Sequence, residues 1–168
     1  MYIIMSGSTS FVGAATVREL LRRGHTVTAI VRPKSSKLDT ILEGNEEALL
    51  SGRLLVTEND LSEPEKLLEK VTKPQDVFCH FGWGGSGSAS RTDKALQEKN
   101  MEISLETIRT AKALGCKKFL FSGSQAEYGM HQDLITENTV CEPKSLYGEA
   151  KLAMREKGEK LCDELGLR

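Results

Sequence analysis

The chain has 168 residues, 39% hydrophobic and 28% charged, with a formal net charge of −1. That length suits one domain, and the apolar fraction is enough for a packed core, which excludes global disorder. Balanced charge leaves no electrostatic footprint for nucleic acid, and no apolar run approaches the roughly 20 residues of a membrane helix.

The start, Met1-Tyr2-Ile3-Ile4-Met5-Ser6-Gly7, has no basic region before its short apolar run and is not read as a signal peptide. Tyr2 to Met5 predicts a strand, followed by a Gly/Ser/Thr turn. A helix is expected over 11–23, with Val12, Val17, Leu20 and Leu21 inward and Gly24 as its stop. Residues 26–31 are β-branched and apolar, a second strand closed by Pro33. A helix is expected over 37–50, with Leu38, Ile41 and Leu42 clustered, and a third strand over 54–57. Ser62-Glu63-Pro64-Glu65 has the spacing of a capping box, predicting a helix to about residue 71.

A fourth strand is expected over 76–81. Residues 82–90 are rich in Gly and Ser and read as a loop. A long helix is expected over 92–114, with Leu96, Met101, Leu105, Ile108 and Ala111 inward and Gly115 as its stop. The fifth strand follows over 117–121. The last helix spans 146–165, with Ser145 as N-cap and Gly166 as stop. Strand and helix alternate throughout, so the expected fold is α/β: a doubly wound parallel sheet of about five strands, Rossmann-like. Cys79, Cys116, Cys141 and Cys162 form no Cys-x-x-Cys pair, and three scattered histidines add no metal-ligand spacing. They read as reduced structural thiols of a cytoplasmic protein, with no metal site.

Two places carry chemistry. The first strand runs into Gly7-Ser8-Thr9-Ser10-Phe11-Val12-Gly13, where a helix begins. Gly7 permits a tight turn, and Gly13 lets helix and strand pack closely. The free N–H groups at the helix start suit a pyrophosphate, with Ser10 where a middle glycine would stand. The second strand ends at Val31-Arg32-Pro33-Lys34-Ser35, with no acidic residue before Asp39. An Arg there suits a ribose 2′-phosphate, so Arg32 favours NADP, with NAD as the alternative; a plain solvated basic loop is the other reading. In the last helix, Tyr147-Gly148-Glu149-Ala150-Lys151 places Tyr147 and Lys151 on one face. A phenol titrates near pH 10, and a neighbouring ammonium favours its ionised form, so Tyr147 has the makings of a proton shuttle.

With these pieces together, the sequence resembles the extended short-chain dehydrogenase/reductases, in their NAD(P)-dependent epimerase/dehydratase branch, along essentially the whole chain. Gly7 to Gly13 looks like the family's Gly-x-x-Gly-x-x-Gly turn, with Ser10 replacing the middle glycine. Asn59-Asp60-Leu61 looks like the Asp after strand three that faces the adenine. His80-Phe81-Gly82 is similar to the His-x-Ala segment beside the cofactor. Asn100 sits where the family places an Asn in its long fourth helix. Phe121-Ser122-Gly123-Ser124-Gln125-Ala126-Glu127-Tyr128-Gly129 is similar to the segment carrying the catalytic Ser or Thr.

The resemblance implies that Tyr147 is the acid/base, that Lys151 lowers its pKa and bonds the nicotinamide ribose, and that Ser124 hydrogen-bonds the reacting substrate oxygen. It implies a cofactor site of Gly7, Ser10, Phe11, Val12, Gly13, Arg32, Asp60, Leu61, Phe81 and Gly82, together with Tyr147 and Lys151. Two readings stay open at several residues. His80 is read as a core histidine before a catalytic one, and Asn100 as a support for backbone before a cofactor ligand. Ser124 has a turn-capping alternative, and Trp83 either lines the pocket or simply packs.

Family 4,6-dehydratases carry an Asp-Glu pair where Gln125 and Ala126 stand, which disfavours dehydration and favours a reductase of 4-keto sugars, with a sugar epimerase close behind. The implied substrate is a nucleotide-linked sugar, in the full-length form. Residues 1–168 are expected to be the dinucleotide-binding domain, ending before the family's last strands and its substrate domain, with strand five open to pairing between chains. Catalysis by these residues alone is not expected; a non-catalytic dinucleotide-binding module or inactive fragment is the alternative. A homodimer through the fourth and fifth predicted helices is implied, and no nucleic acid or membrane partner.

Overall fold

Short β-branched and apolar runs with no polar alternation form strands when both faces of a sheet are covered. In the computed structural model, which describes residues 1–85, 87 and 89–168, five short runs make one parallel sheet, covered on both faces except at the last strand, where Lys118 and Leu120 are exposed. They are β1 (Tyr2–Ser6), β2 (Thr26–Val31), β3 (Leu54–Glu58), β4 (Val77–His80) and β5 (Lys118–Phe121), in the order β3-β2-β1-β4-β5. The helices are α1 (Phe11–Arg22), α2 (Asp39–Leu42), α3 (Glu46–Leu50), α4 (Leu67–Lys70), α5 (Lys94–Ala113) and α6 (Leu146–Leu165). The sheet is therefore doubly wound and Rossmann-like, as the alternation predicts.

Successive side chains along a strand point to opposite faces. Ile3 and Met5 join Val17, Leu21, Val27, Ile41 and Leu54 under α1, α2 and α3. Ile4 joins Ile30, Leu67, Phe78, Ile108 and Met154 under α4, α5 and α6. The chain winds one way from β1 to β3 and the other way from β4 to β5. The crevice where such sheets bind ligands thus opens between the carboxyl ends of β1 and β4, where Ser6 lies opposite His80.

Several expectations are corrected. The helix expected over 37–50 is two short helices, α2 and α3, separated by Gly44 at φ +74°. No capping box forms at Ser62. The Asp60 carboxylate takes both the Ser62 amide (2.8 Å) and its hydroxyl (2.6 Å), and a 3-10 turn, Pro64–Lys66, precedes the four-residue α4. Val12 is exposed rather than inward; Gly13, Ala14, Val17 and Leu21 make the buried face of α1. On α5, Met101 and Leu105 pack half-buried against the core beside Ile108 and Ala111, as expected, but the fully buried positions also include the polar Gln97, Asn100, Ser104 and Thr107.

The outer edge of β5 is not wholly bare. Arg168 pairs beside Lys118 in the parallel sense, its amide on the Lys117 carbonyl (3.0 Å) and its carbonyl on the Phe119 amide (2.9 Å). The four cysteines are free, Cys79 and Cys116 buried, with burial pushing their thiols up to about 11 and about 12. Among the described residues, no helix is long and apolar enough to cross a membrane. Phe78 is fully buried at the centre of the α5/α6 face. Phe78→Ala is expected to cost about 3–5 kcal/mol of unfolding free energy, read as a lower urea midpoint.

Candidate functional site

Backbone must approach backbone at the switch point. Gly7 has φ +69°, and a Cβ there would lie 2.6 Å from the Phe81 carbonyl carbon and 2.8 Å from the Gly82 amide nitrogen. A Cβ on Gly13 would overlap the Gly7 carbonyl oxygen. The two glycines thus let α1 start directly beside the end of β4. Ser10 is the N-cap of α1, its hydroxyl oxygen accepting from the Gly13 amide at 3.0 Å. The Phe11 and Val12 amides have no partner among the described residues, and both side chains are open to solvent. Ser8 anchors the turn by donating to the Ile30 carbonyl at 2.6 Å.

Beneath this turn a chain of hydrogen bonds has one consistent direction. The Ser104 hydroxyl donates to the Asn100 carbonyl (2.8 Å), so its oxygen accepts from His80 Nε2–H (3.0 Å). His80 Nδ1 is then the bare nitrogen and accepts from the Ser6 hydroxyl (2.8 Å), whose oxygen receives the Gly82 amide (3.3 Å). Complete burial pushes the imidazole down to about 3, with the Lys151 charge adding to the effect, so His80 is neutral. His80 is the core histidine that the residues suggested. Asn100 likewise supports backbone: its side chain accepts from the Gly84 amide (2.9 Å) and donates to the Gly84 carbonyl (2.8 Å).

Ser145 caps α6 by accepting from the Gly148 amide at 3.1 Å. A Cβ on Gly148 would overlap the Ala126 carbonyl oxygen. The first turn of α6 is thereby pressed against the 3-10 turn Gln125–Glu127, which Ser124 caps by accepting from the Ala126 amide (3.2 Å). Ser124 does cap a turn, and it keeps its hydroxyl hydrogen for another acceptor. The Glu127 carboxylate closes the box from the other side, accepting from the Ser124 amide (2.6 Å) and meeting Arg155 at 3.3 Å. Glu127 is buried and was not singled out from the sequence. Its signal was there: Ser124-x-x-Glu127 is a capping box, the pattern wrongly assigned to Ser62.

Lys151 is 2% exposed. Its ammonium donates to the Ser122 carbonyl at 2.9 Å and lies 4.0 Å from the Trp83 ring centroid and 4.3 Å from that of Phe121. Burial pushes it down to about 8, opposed by the Glu127 carboxylate. The Tyr147 ring stands 5.9 Å from this ammonium, edge-on to Trp83 and under the Arg91 guanidinium at 5.0 Å. Trp83 is thus packed against Lys151 and Tyr147 as well as against the core. The arrangement places a phenol, a nearly enclosed cation and a serine turn side by side at the carboxyl ends of β4 and β5, a constellation suited to moving a proton at a substrate oxygen.

The remaining candidates surround the crevice. Leu61 packs its methyl groups against Gly82, and Phe81 is half-buried next to Gly7. Asp60 and Arg32 are both exposed. Bonds from Ser62 hold the Asp60 carboxyl below its ordinary range, and the Arg32 and Lys99 charges add to this.

This fold and site define a class. Residues 3–168 match the NAD dependent epimerase/dehydratase family, and the chain belongs to it. It is 29% identical over 158 residues to the dTDP-6-deoxy-L-talose 4-dehydrogenase (NAD(+)) of Aggregatibacter actinomycetemcomitans, covering 93% of this chain and 53% of that protein. It is 26% identical over 159 residues to a UDP-glucose 4-epimerase of Pisum sativum, covering 92% of this chain and 45% of that protein. A solved UDP-glucose 4-epimerase superposes with a TM-score of 0.83 at 26% identity, over 100% of this chain and 49% of that one. The chain spans about half the length of these relatives.

Two outcomes follow. Lys151 binds its proton less tightly in the folded chain than in the unfolded one, so its burial costs stability below about pH 8 and that cost is relieved as pH rises toward the ordinary lysine value of about 10.4. The Tm of the wild type relative to Lys151→Met is expected to rise between pH 8 and 10; a flat difference would contradict the assignment. Gly148→Ala is expected to cost about 1–3 kcal/mol of unfolding free energy, the range for overpacking, read as a lower urea midpoint.

Proposed function

We propose that this chain is the dinucleotide-binding part of an NAD(P)-dependent oxidoreductase or epimerase acting on a nucleotide-linked sugar. The observation that carries the reading is the meeting of Tyr147 and Lys151 on α6 with the Ser124 turn, beside an α1 start whose Phe11 and Val12 amides are free. Gly7, Ser10, Phe11, Val12 and Gly13 would hold the pyrophosphate of the cofactor. Phe81 and Gly82 would flank it, and Asp60 and Leu61 would face the adenine. When bound, a nicotinamide supplies hydride transfer. Tyr147 would hold or release the proton of the reacting sugar oxygen, Lys151 would favour the phenolate and hold the ribose, and Ser124 would donate its remaining hydrogen to the same substrate oxygen.

Reduction of a 4-keto sugar is favoured over dehydration by Gln125 and Ala126, which offer no carboxylate pair. One relative by name is a 4-dehydrogenase and another a 4-epimerase, so epimerisation is the second reading. Arg32, exposed at the end of β2, supports NADP; the names of the family and of the dehydrogenase relative speak for NAD. The substrate-binding part belongs, in this proposal, to the length that the relatives have beyond the match, and residues 1–168 bind the dinucleotide without turnover. Dimerisation would use α5 and α6.

Titration with NADPH and NADH, followed by quenching of Trp83 and energy transfer to the reduced ring, tests the reading. Saturable binding is expected, with NADPH tighter and Arg32→Ala losing that preference by about tenfold, the size of one charge-assisted contact. Tyr147→Phe is expected to bind as the wild type does. Failure to bind either dinucleotide would overturn the proposal, and sedimentation showing only monomer at high concentration would remove the dimer.

A further inference from the structure

Gln97 lies on the second turn of α5 and is 2% exposed. Its carboxamide has one chemically allowed orientation. An indole N–H only donates, so Oε1 faces Trp83 Nε1 at 2.9 Å, and Nε2 donates to the Ser90 carbonyl at 2.8 Å. One side chain thus ties together the two limbs of the loop between β4 and α5. The Trp83 ring held in this way covers the Lys151 ammonium at 4.0 Å and meets the Tyr147 ring edge-on at 6.3 Å. On the other side, the ammonium is set by Phe121 and the Ser122 carbonyl.

We propose that Gln97 is a positioning residue for the Tyr147–Lys151 pair, holding the Trp83 indole over the Lys151 ammonium and so fixing where that ammonium points. The proposal rests on the reading of Tyr147 and Lys151 as the working pair. Without the Gln97 acceptor, the indole N–H would be half-buried and unpaired and would turn toward water, taking the cover off the ammonium. The cation–π attraction lost with it acts the other way, but burial is the largest cause of the lowered Lys151 value, so the water gained by the ammonium decides the direction.

Of the other charged groups around Lys151, Glu127 and Arg155 are independent of Gln97, whereas Arg91 follows Ser90 in the turn that Gln97 holds. Glu127, from the turn after β5, faces it and is held by the Ser124 amide and Arg155. Arg155, one turn further along α6, is committed to Glu127 and the Cys141 sulfur. Arg91 lies over the Tyr147 ring, and His80 on β4 is neutral. Trp83→Phe leaves the Gln97–Ser90 bond in place, so a change in Lys151 titration common to the Gln97 and Trp83 variants reports the indole.

Trp83 is the chain's single tryptophan, so its emission can be followed against pH in the free chain. The wild type is expected to show an inflection near the Lys151 value, which burial pushes down to about 8, and Lys151→Met is expected to abolish it. Gln97→Leu is expected to move the inflection up by about one pH unit toward the ordinary lysine range and to shift emission to the red. A folded Gln97→Leu chain with the wild-type inflection and emission would overturn the proposal. Trp83→Phe keeps a ring and deletes the N–H, cutting the same link from the other end. In that variant, the Lys151 Nζ titration read by NMR is expected to move up, and an unchanged titration would overturn the proposal even if Gln97→Leu does not fold. These readouts need no cofactor. A wild type that binds neither NADH nor NADPH would sink the dinucleotide reading, and the pH profile would still decide the role of Gln97.

Discussion

Three backbone segments meet at the carboxyl ends of β1 and β4 with no volume left for a Cβ between them. The Gly7 carbonyl fills the place of a side chain on residue 13, and the Phe81–Gly82 peptide fills the place of one on residue 7. Sheet order puts the first two crossovers on one face and the next two on the other, so this is also where the crevice opens. The direction of α1, its exposed first-turn amides and the path of the loop after β4 all depend on that contact. Gly148 against Ala126 repeats the device at the other side of the site and brings Tyr147 to the Ser124 turn.

Packing at this depth buries polar groups, and the structure satisfies them in sequence. The face of α5 that approaches β4 begins with Gln97, Asn100 and Ser104 rather than with leucines, because the neighbouring loop presents amides, carbonyls and an indole N–H that need partners. A buried donor left unpaired costs about 1–3 kcal/mol, more than each net hydrogen bond contributes. The run from Gly82 through Ser6, His80 and Ser104 to Asn100 therefore acts chiefly as a constraint that allows one tautomer and one loop position. Lys151 meets the same demand differently, trading water for one carbonyl and two aromatic faces, and its lowered proton affinity is the visible residue of that exchange.

Much of this was legible along the chain. Apolar runs without alternation identified five strands, and Ser145 and Gly166 bracketed α6 at its observed ends. The glycine turn and the Tyr147–Lys151 spacing marked the crevice. What failed did so for competing local chemistry. Ser62 looked like a cap but is claimed by the nearer Asp60 carboxylate. The same motif, at Ser124 and Glu127, passed unread because its helix is a single 3-10 turn. On α5, periodicity placed Met101, Leu105, Ile108 and Ala111 against the core, as observed, but it gave no sign that Gln97, Asn100 and Ser104 would be buried as well.

Period, punctuation and spacing are properties of neighbouring residues, so the order of elements, the parallel sheet and the glycine turn before α1 could be read from the amino acids alone. The tautomer of His80, the enclosure of Lys151 by Trp83 and Phe121, the clamp of Asn100 on Gly84 and the two-handed hold of Gln97 join residues that are distant in the chain. Such contacts exist only once the sheet has brought β1, β4 and β5 together under α5 and α6, because hydrogen bonding and desolvation depend on separation in space, which local pattern does not encode.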